Sequence, residues 1–232
     1  MRRALAFLTP LGGAAVPDRG TVAWFPVAGA AIGTAVGTLW WGAYRLWPPG
    51  VAAAIAVTAD LALTGLLHAD GLIDSADGLL PQVPRDRRLE IMAEPAVGAY
   101  GVLAAIAVFL LRYDALTALQ PDFVLLSGIW CGSRTVMAVT VRALPYARET
   151  GLATAMRGGD WRPVALYGFA AAVLLGAVAA GAAAVVAVVT GMAAGFALVA
   201  AARRRLGGYT GDVLGAAGVI AETVALIAVA AW

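Results

Sequence analysis

The chain has 232 residues, 62% hydrophobic and 13% charged, with a mean hydropathy of +0.85 and a net charge of +2. Soluble domains are roughly 45–50% apolar and about 25% charged, so this composition excludes an ordinary soluble domain and points to a bilayer. The small net charge argues against a nucleic-acid partner, and a single cysteine, Cys131, excludes a disulfide framework.

At the N-terminus, Arg2 and Arg3 precede a run from Ala4 to Leu8 that is too short for a signal peptide. Seven segments approach the roughly 20 apolar residues that a membrane span needs. They lie at 22–47, 51–68, 97–119, 123–144, 163–180, 182–202 and 213–232. The fifth and sixth form one Ala/Val/Gly run, too long for a single span, and are separated as a tight hairpin at Gly181. The expected fold is therefore an all-α polytopic bundle of about seven transmembrane helices, forming a single domain over 1–232.

All 16 basic residues are Arg, and their distribution is uneven. Arg2, Arg3 and Arg19 precede the first span, and Arg85, Arg87 and Arg88 follow the second. Arg142, Arg148, Arg157 and Arg162 surround the fourth-to-fifth connection, and Arg203, Arg204 and Arg205 precede the last span. The alternate connections are short and hold no Arg. Positive residues favour the cytoplasmic side, so the N-terminus is expected inside and the C-terminus outside. Trp24 and Trp161 fall at inner boundaries, and Trp40, Trp41, Trp47 and Trp232 at outer ones, as an aromatic belt would.

The second span runs into His68-Ala69-Asp70-Gly71-Leu72-Ile73-Asp74-Ser75-Ala76-Asp77-Gly78. Asp70, Asp74 and Asp77 are spaced i, i+4 and i+7, which places them on one face of a helix. Three carboxylates on one face repel unless a cation lies among them, and hard oxygen donors suit Mg²⁺. The competing reading is a solvated acidic face. His68, the only histidine, is a general base, a phosphate contact or an interfacial residue at a helix end.

Glu94 stands before Pro95, which is expected to open the third span. It is either a partner for the helix dipole or a fourth metal ligand. Gly98 and Gly101 would admit a substrate or a neighbouring helix, while Arg85, Arg87 and Arg88 read mainly as topology signals.

Arg134 falls near the middle of the fourth span, where an exposed Arg is costly. It either binds phosphate or pairs with Asp60, which lies inside the second span. Arg112 and Asp114 are placed nearer the outer end of the third span, where snorkelling suffices. Gly207-Gly208-Tyr209-Thr210-Gly211-Asp212 enters the seventh span, and such turns into helix N-termini attract anions. Glu222 follows within that span and is expected to face the bundle interior.

These motifs together resemble the cobalamin synthase family, the adenosylcobinamide-GDP ribazoletransferases of bacteria and archaea. The resemblance rests on Phe7-Leu8-Thr9, Trp24-Phe25-Pro26-Val27-Ala28-Gly29 and the His-x-Asp-Gly-x-x-Asp-x-x-Asp-Gly segment. It continues through Arg88-Leu89-Glu90-Ile91-Met92 and Pro145-Tyr146-Ala147-Arg148, and ends at Thr210-Gly211-Asp212-Val213-Leu214-Gly215-Ala216. One departure is Glu94-Pro95-Ala96, where the family has Asp, a small residue and Arg.

The resemblance implies adenosylcobinamide-GDP and α-ribazole or its phosphate as substrates, GMP as leaving group and Mg²⁺ as cofactor. It also implies an inner-membrane location with the site facing the cytoplasm. A homo-oligomer or other cobalamin-assembly enzymes are further partners compatible with it. Asp70, Asp74, Asp77 and Glu94 would hold the metal. Asp70, Asp74, Asp77 and His68 would carry the chemistry, with Arg134, Arg148, Gly71, Gly78, Gly211 and Asp212 on the substrate. Two alternatives stand beside it. A CDP-alcohol phosphatidyltransferase would continue Asp-Gly-x-x-Ala-Arg, whereas Asp77-Gly78 here leads to Leu79-Leu80-Pro81-Gln82. A transporter would use Asp60, Arg134 and Glu222 as an intramembrane relay.

Overall fold

The computed structural model describes residues 1–13, 15–148, 151, 155–156 and 158–232. Arg157, used above for topology, lies outside the described residues, as do Glu149 and Thr150. The described residues are helical apart from loops and one isolated bridge between Tyr146 and Tyr209. In chain order the helices are α1 (Arg2–Leu8), α2 (Phe25–Tyr44), α3 (Pro49–Leu63), α4 (Leu67–Leu79), α5 (Arg85–Ile91), α6 (Ala99–Ala118), α7 (Phe123–Ala143), α8 (Arg162–Leu206) and α9 (Gly211–Ala230).

Among the described residues, five helices are long and apolar enough to cross a membrane, or six if the bent pair α3 and α4 counts as one span. α7 is the central element: 94% of its apolar stretch is buried inside the protein, against 22% for the peripheral α6. Asp122 starts α7 by accepting from the Val124 and Leu125 amides at 2.7 and 3.0 Å, which satisfies two donors that the first turn leaves unpaired.

α2 reaches α7 along Gly29, Gly33 and Gly37, one residue per turn. A β-carbon at Gly33 would lie 2.7 Å from the Leu126 carbonyl carbon, so the backbones meet directly. Lipid supplies no hydrophobic drive between helices, and this close packing is what holds such a pair together.

One boundary differs from expectation and one is borne out. The segment 51–68 is not one helix. α3 ends at Leu63, and the chain turns by 88° before α4. Gly65 and Leu66 both take left-handed backbone angles there, φ 58° and 63°, which glycine adopts freely and leucine does not. The run from 163 to 202 is assigned as one helix, but Ala180 and Gly181 leave helical geometry. Beyond that break the chain doubles back, because a β-carbon at Gly176 would lie 3.3 Å from the Ala184 carbonyl oxygen and 3.4 Å from a Val188 methyl. In a straight helix Gly176 and Val188 would be about 18 Å apart. The expected hairpin is therefore present. Trp40 is fully buried among the helices.

Candidate active site

α4 is fixed at its C-terminal end and along one side. Its last carbonyls, Gly78 and Leu79, accept from Arg88 Nη1 at 2.9 and 2.8 Å, and Arg205 also reaches Leu79. A cation at the C-terminal end of a helix is favourable there. Arg88 and Arg205 thus have a structural task beyond topology. So does Arg85, which donates to Leu206 O at 2.8 Å and Ala147 O at 3.1 Å. On the α9 side, a β-carbon at Gly71 would lie 2.7 Å from Asp212 O, so α4 touches the start of α9 only because residue 71 has no side chain.

The loop leaving α7 and the loop entering α9 are joined to each other. Ala147 N donates to Tyr209 O at 2.8 Å, and Tyr209 N to Pro145 O at 3.1 Å. This places Arg148 Nη2 3.1 Å from Asp212 Oδ2, while the same nitrogen donates to Met92 O at 3.0 Å. Thr210 caps α9 by accepting from Val213 N.

The result is a cleft of about 380 Å³. Its walls bring together His68, Asp70, Arg148, Gly211 and Asp212, five of the candidate residues from three separated segments. Tyr146 also lines it. Burial pushes the Tyr146 phenol up; Arg148 opposes the shift and Asp212 adds to it. Tyr146 lies inside the Pro145-Tyr146-Ala147-Arg148 motif, but its place in the cleft was not anticipated. Phe7 closes one side of the cleft and stacks on Phe25 with ring centres 5.6 Å apart.

The three aspartates of α4 do not act alike. Asp70 is exposed at the cleft and Asp74 is half-buried, within electrostatic reach of Asp70 and Asp212. Asp77 is 7% exposed, and its two oxygens accept from Gly98 N at 2.8 Å and Gly101 N at 2.9 Å. It is the cap of α6, which begins at Ala99 rather than at Pro95. The glycines at 98 and 101 admit the Asp77 carboxylate, not a substrate. Glu94 is exposed and pairs with Arg87 at 3.0 Å. Gly78 packs against Met92, away from the cleft.

Among the described residues no three His, Cys, Asp or Glu side chains form a closed metal cage. Mg²⁺ needs none, because it takes one or two carboxylates and completes its shell with water and phosphate oxygens. Asp70 and Asp212 line the cleft, and Asp74, which does not line it, lies within electrostatic reach of both, so these three are donors of that chemistry, whereas Asp77 and Glu94 are engaged elsewhere.

Arg134 does not line the cleft. It is 1% exposed and donates to Ser133 Oγ at 2.8 Å and to Glu222 Oε1. Asp60 pairs not with Arg134 but with Arg112, at 2.7 Å. Arg112 does not snorkel. It is 1% exposed and also holds Glu222 at 2.9 Å and Thr223 at 3.1 Å. Trp130 completes the shell of Asp60 at 3.0 Å. Two guanidinium groups and two carboxylates thus neutralise one another inside the bundle.

Comparison with known proteins places the chain in a family. The family model described as cobalamin-5-phosphate synthase matches residues 1–230. A Bradyrhizobium diazoefficiens protein named adenosylcobinamide-GDP ribazoletransferase is 36% identical, over 100% of this chain and 93% of the relative. Proteins with the same name from Azorhizobium caulinodans and Deinococcus radiodurans are 39% and 38% identical, over 93% and 96% of this chain and 86% and 82% of the relatives. No solved structure matches. With the motif order, the helical bundle and the full-length match in agreement, the chain belongs to the cobalamin-5-phosphate synthase family.

Proposed function

We propose that the cleft joins α-ribazole, or its phosphate, to adenosylcobinamide-GDP and releases GMP, giving adenosylcobalamin or its phosphate. The observation that carries this reading is the convergence of His68, Asp70, Arg148, Gly211 and Asp212 on one cleft. It occurs in a chain whose relatives bear the name adenosylcobinamide-GDP ribazoletransferase.

Phosphoryl-group transfer asks an enzyme mainly to position groups and neutralise charge. Asp70 and Asp74, one turn apart on α4, would hold Mg²⁺, with Asp212 facing them. When bound, the ion would offset charge on the pyrophosphate and on departing GMP.

Arg148 is partnered by Asp212. A substrate phosphate is a better partner for a guanidinium fork, so it would draw Arg148 onto its own oxygens. That exchange frees the Asp212 carboxylate to accept the proton of the ribazole primary hydroxyl. The hydroxyl oxygen forms a bond to the phosphorus nearer cobinamide, the bridging P–O bond breaks, and GMP leaves with the electron pair. The Gly211 amide, in the first turn of α9, faces an anion favourably.

The arginine asymmetry supports a cytoplasmic site in the inner membrane, and the hairpin at Gly181 supports seven spans. Arg85, Arg88, Arg148 and Arg205 all lie at the end of the bundle that holds the cleft. The test is turnover. Purified protein in lipid, given adenosylcobinamide-GDP, α-ribazole and Mg²⁺, should yield adenosylcobalamin and GMP in equal amounts. Transport of corrinoid without GMP release would overturn the reading.

A further inference from the structure

The buried charges run in an unbroken series from the bundle interior to the cleft. Asp60 accepts from Arg112 Nη1, and Arg112 Nη2 donates to Glu222 Oε2 at 2.9 Å and to Val219 O at 3.0 Å. Glu222 Oε1 accepts from Ser133 Oγ at 2.8 Å and from Arg134 Nη1. Arg134 Nη2 then lies 3.4 Å from His68 Nδ1. The four charged members and His68 are between 1% and 6% exposed.

The last link decides what His68 can do. A guanidinium only donates, so the imidazole nitrogen facing it presents a lone pair. In a neutral ring with a bare Nδ1, the proton lies on Nε2. That Nε2 is buried and finds no hydrogen-bond partner among the described residues, while His68 is one of the residues lining the cleft. A buried donor left unmatched is costly, and natural proteins rarely tolerate one without a ligand or water to receive it.

We propose that His68 is a fixed hydrogen-bond donor to a phosphate oxygen of the activated corrinoid, and that Arg134, held by Glu222, is the positioning residue that sets its tautomer. This rests on reading the cleft as a phosphoryl-transfer site. It removes two of the roles the sequence leaves open. His68 is not the base, because Nε2, the nitrogen that Arg134 does not engage, already carries a proton. Arg134 does not bind phosphate itself, because it does not line the cleft and its two Nη groups are engaged by Glu222, Ser133 and His68.

The test uses the fact that His68 is the only histidine. Histidine labelled with nitrogen-15, in the full-length protein in lipid nanodiscs, gives signals from one ring. The expected spectrum has a pyridine-type Nδ1 and a pyrrole-type Nε2. Adding adenosylcobinamide-GDP and Mg²⁺ without α-ribazole should move the Nε2 signal and leave Nδ1 in place. In Arg134→Met the neutral ring should become a mixture of tautomers.

Kinetics supply the second readout. His68→Phe should lower kcat/KM for adenosylcobinamide-GDP about ten- to hundredfold, the effect of one hydrogen bond to a charged group. The KM for α-ribazole should stay unchanged. His68→Gln, which keeps an N–H donor, should recover part of the loss. A wild-type ring protonated on Nδ1, or an Nε2 signal indifferent to the activated corrinoid in an enzyme that turns over, overturns the proposal and leaves the function intact. An enzyme that forms no cobalamin, whatever its tautomer, sinks the functional reading instead.

Discussion

At the residue scale, Asp74 and Asp77 show how far spacing can be trusted. The i, i+4, i+7 pattern places both carboxylates on one arc of α4, and nothing in the sequence separates their fates. The partner does. Asp77 faces the start of α6, where unpaired amides await an acceptor. Asp74 is half-buried within electrostatic reach of Asp212, Asp70 and Arg148. A capping role for Asp77 could have been suspected only by knowing that Gly98 and Gly101 come to rest beside it. We therefore expect the two Asn variants to differ in kind. Asp74→Asn should insert and melt normally and lose at least about a hundredfold in turnover, partly restored by raised Mg²⁺. Asp77→Asn should melt earlier, with a loss of about 1–2 kcal/mol, as for other helix caps, and should retain more turnover per folded molecule. Measured together in melting and turnover assays, the reverse pattern would return the metal site to Asp77. The buried arginines teach the same lesson. A charge in an apolar run signals an interior partner, yet linear position alone suggests the membrane edge for Arg112 and says nothing about the face that pairs it with Asp60 and Glu222.

At the scale of elements, most of the fold was legible. Hydropathy sets the spans within a few residues, and Gly181 marks the hairpin because glycine alone enters φ 60° without strain. The bend before α4 was not legible, since Leu63 to Leu67 keeps the composition of a span while leaving its geometry. The turn matters to the site, because it lays α4 across the start of α9. Gly71 is the contact that permits this. Gly71→Val should force the two helices apart, costing on the order of 1–3 kcal/mol as an overpacked contact. It should separate Asp70 and Asp74 from Asp212 and Arg148, so turnover should fall further than melting temperature does. Gly42→Val, where nothing lies within 4 Å, is the matching control and should leave both near wild type. Equal loss of turnover in the two variants would show that the α4–α9 contact has no special place in the site.

For the whole molecule, the open question is which way the bundle faces. Apolar length fixes that helices cross a membrane, not their direction; direction comes from the arginines. Single cysteines at Asp86 and Arg204 should react with an impermeant thiol reagent only from the cytoplasmic side, and one at Pro48 only from the opposite side. The native Cys131 is buried and should not interfere. Reaction of the Arg204 position from outside would invert the arrangement and put the cleft on the wrong side for cytoplasmic substrates.

The pairing of Asp60, Arg112, Arg134 and Glu222 also constrains how the chain is made. Its members arise on α3, α6, α7 and α9, so during synthesis the charges enter the bilayer in the order negative, positive, positive, negative. Once α7 has emerged, one guanidinium lacks a counter-charge, and a lone cation at that depth costs several kcal/mol. The early helices should therefore stay with the insertion machinery until the final one delivers Glu222. A nascent chain stopped at Leu206 should be degraded rapidly by membrane proteases in a pulse-chase experiment, and the same fragment bearing Arg134→Met should persist longer. The last helix would then act as a completeness signal, its carboxylate separating a finished chain from an abandoned one before any substrate is met.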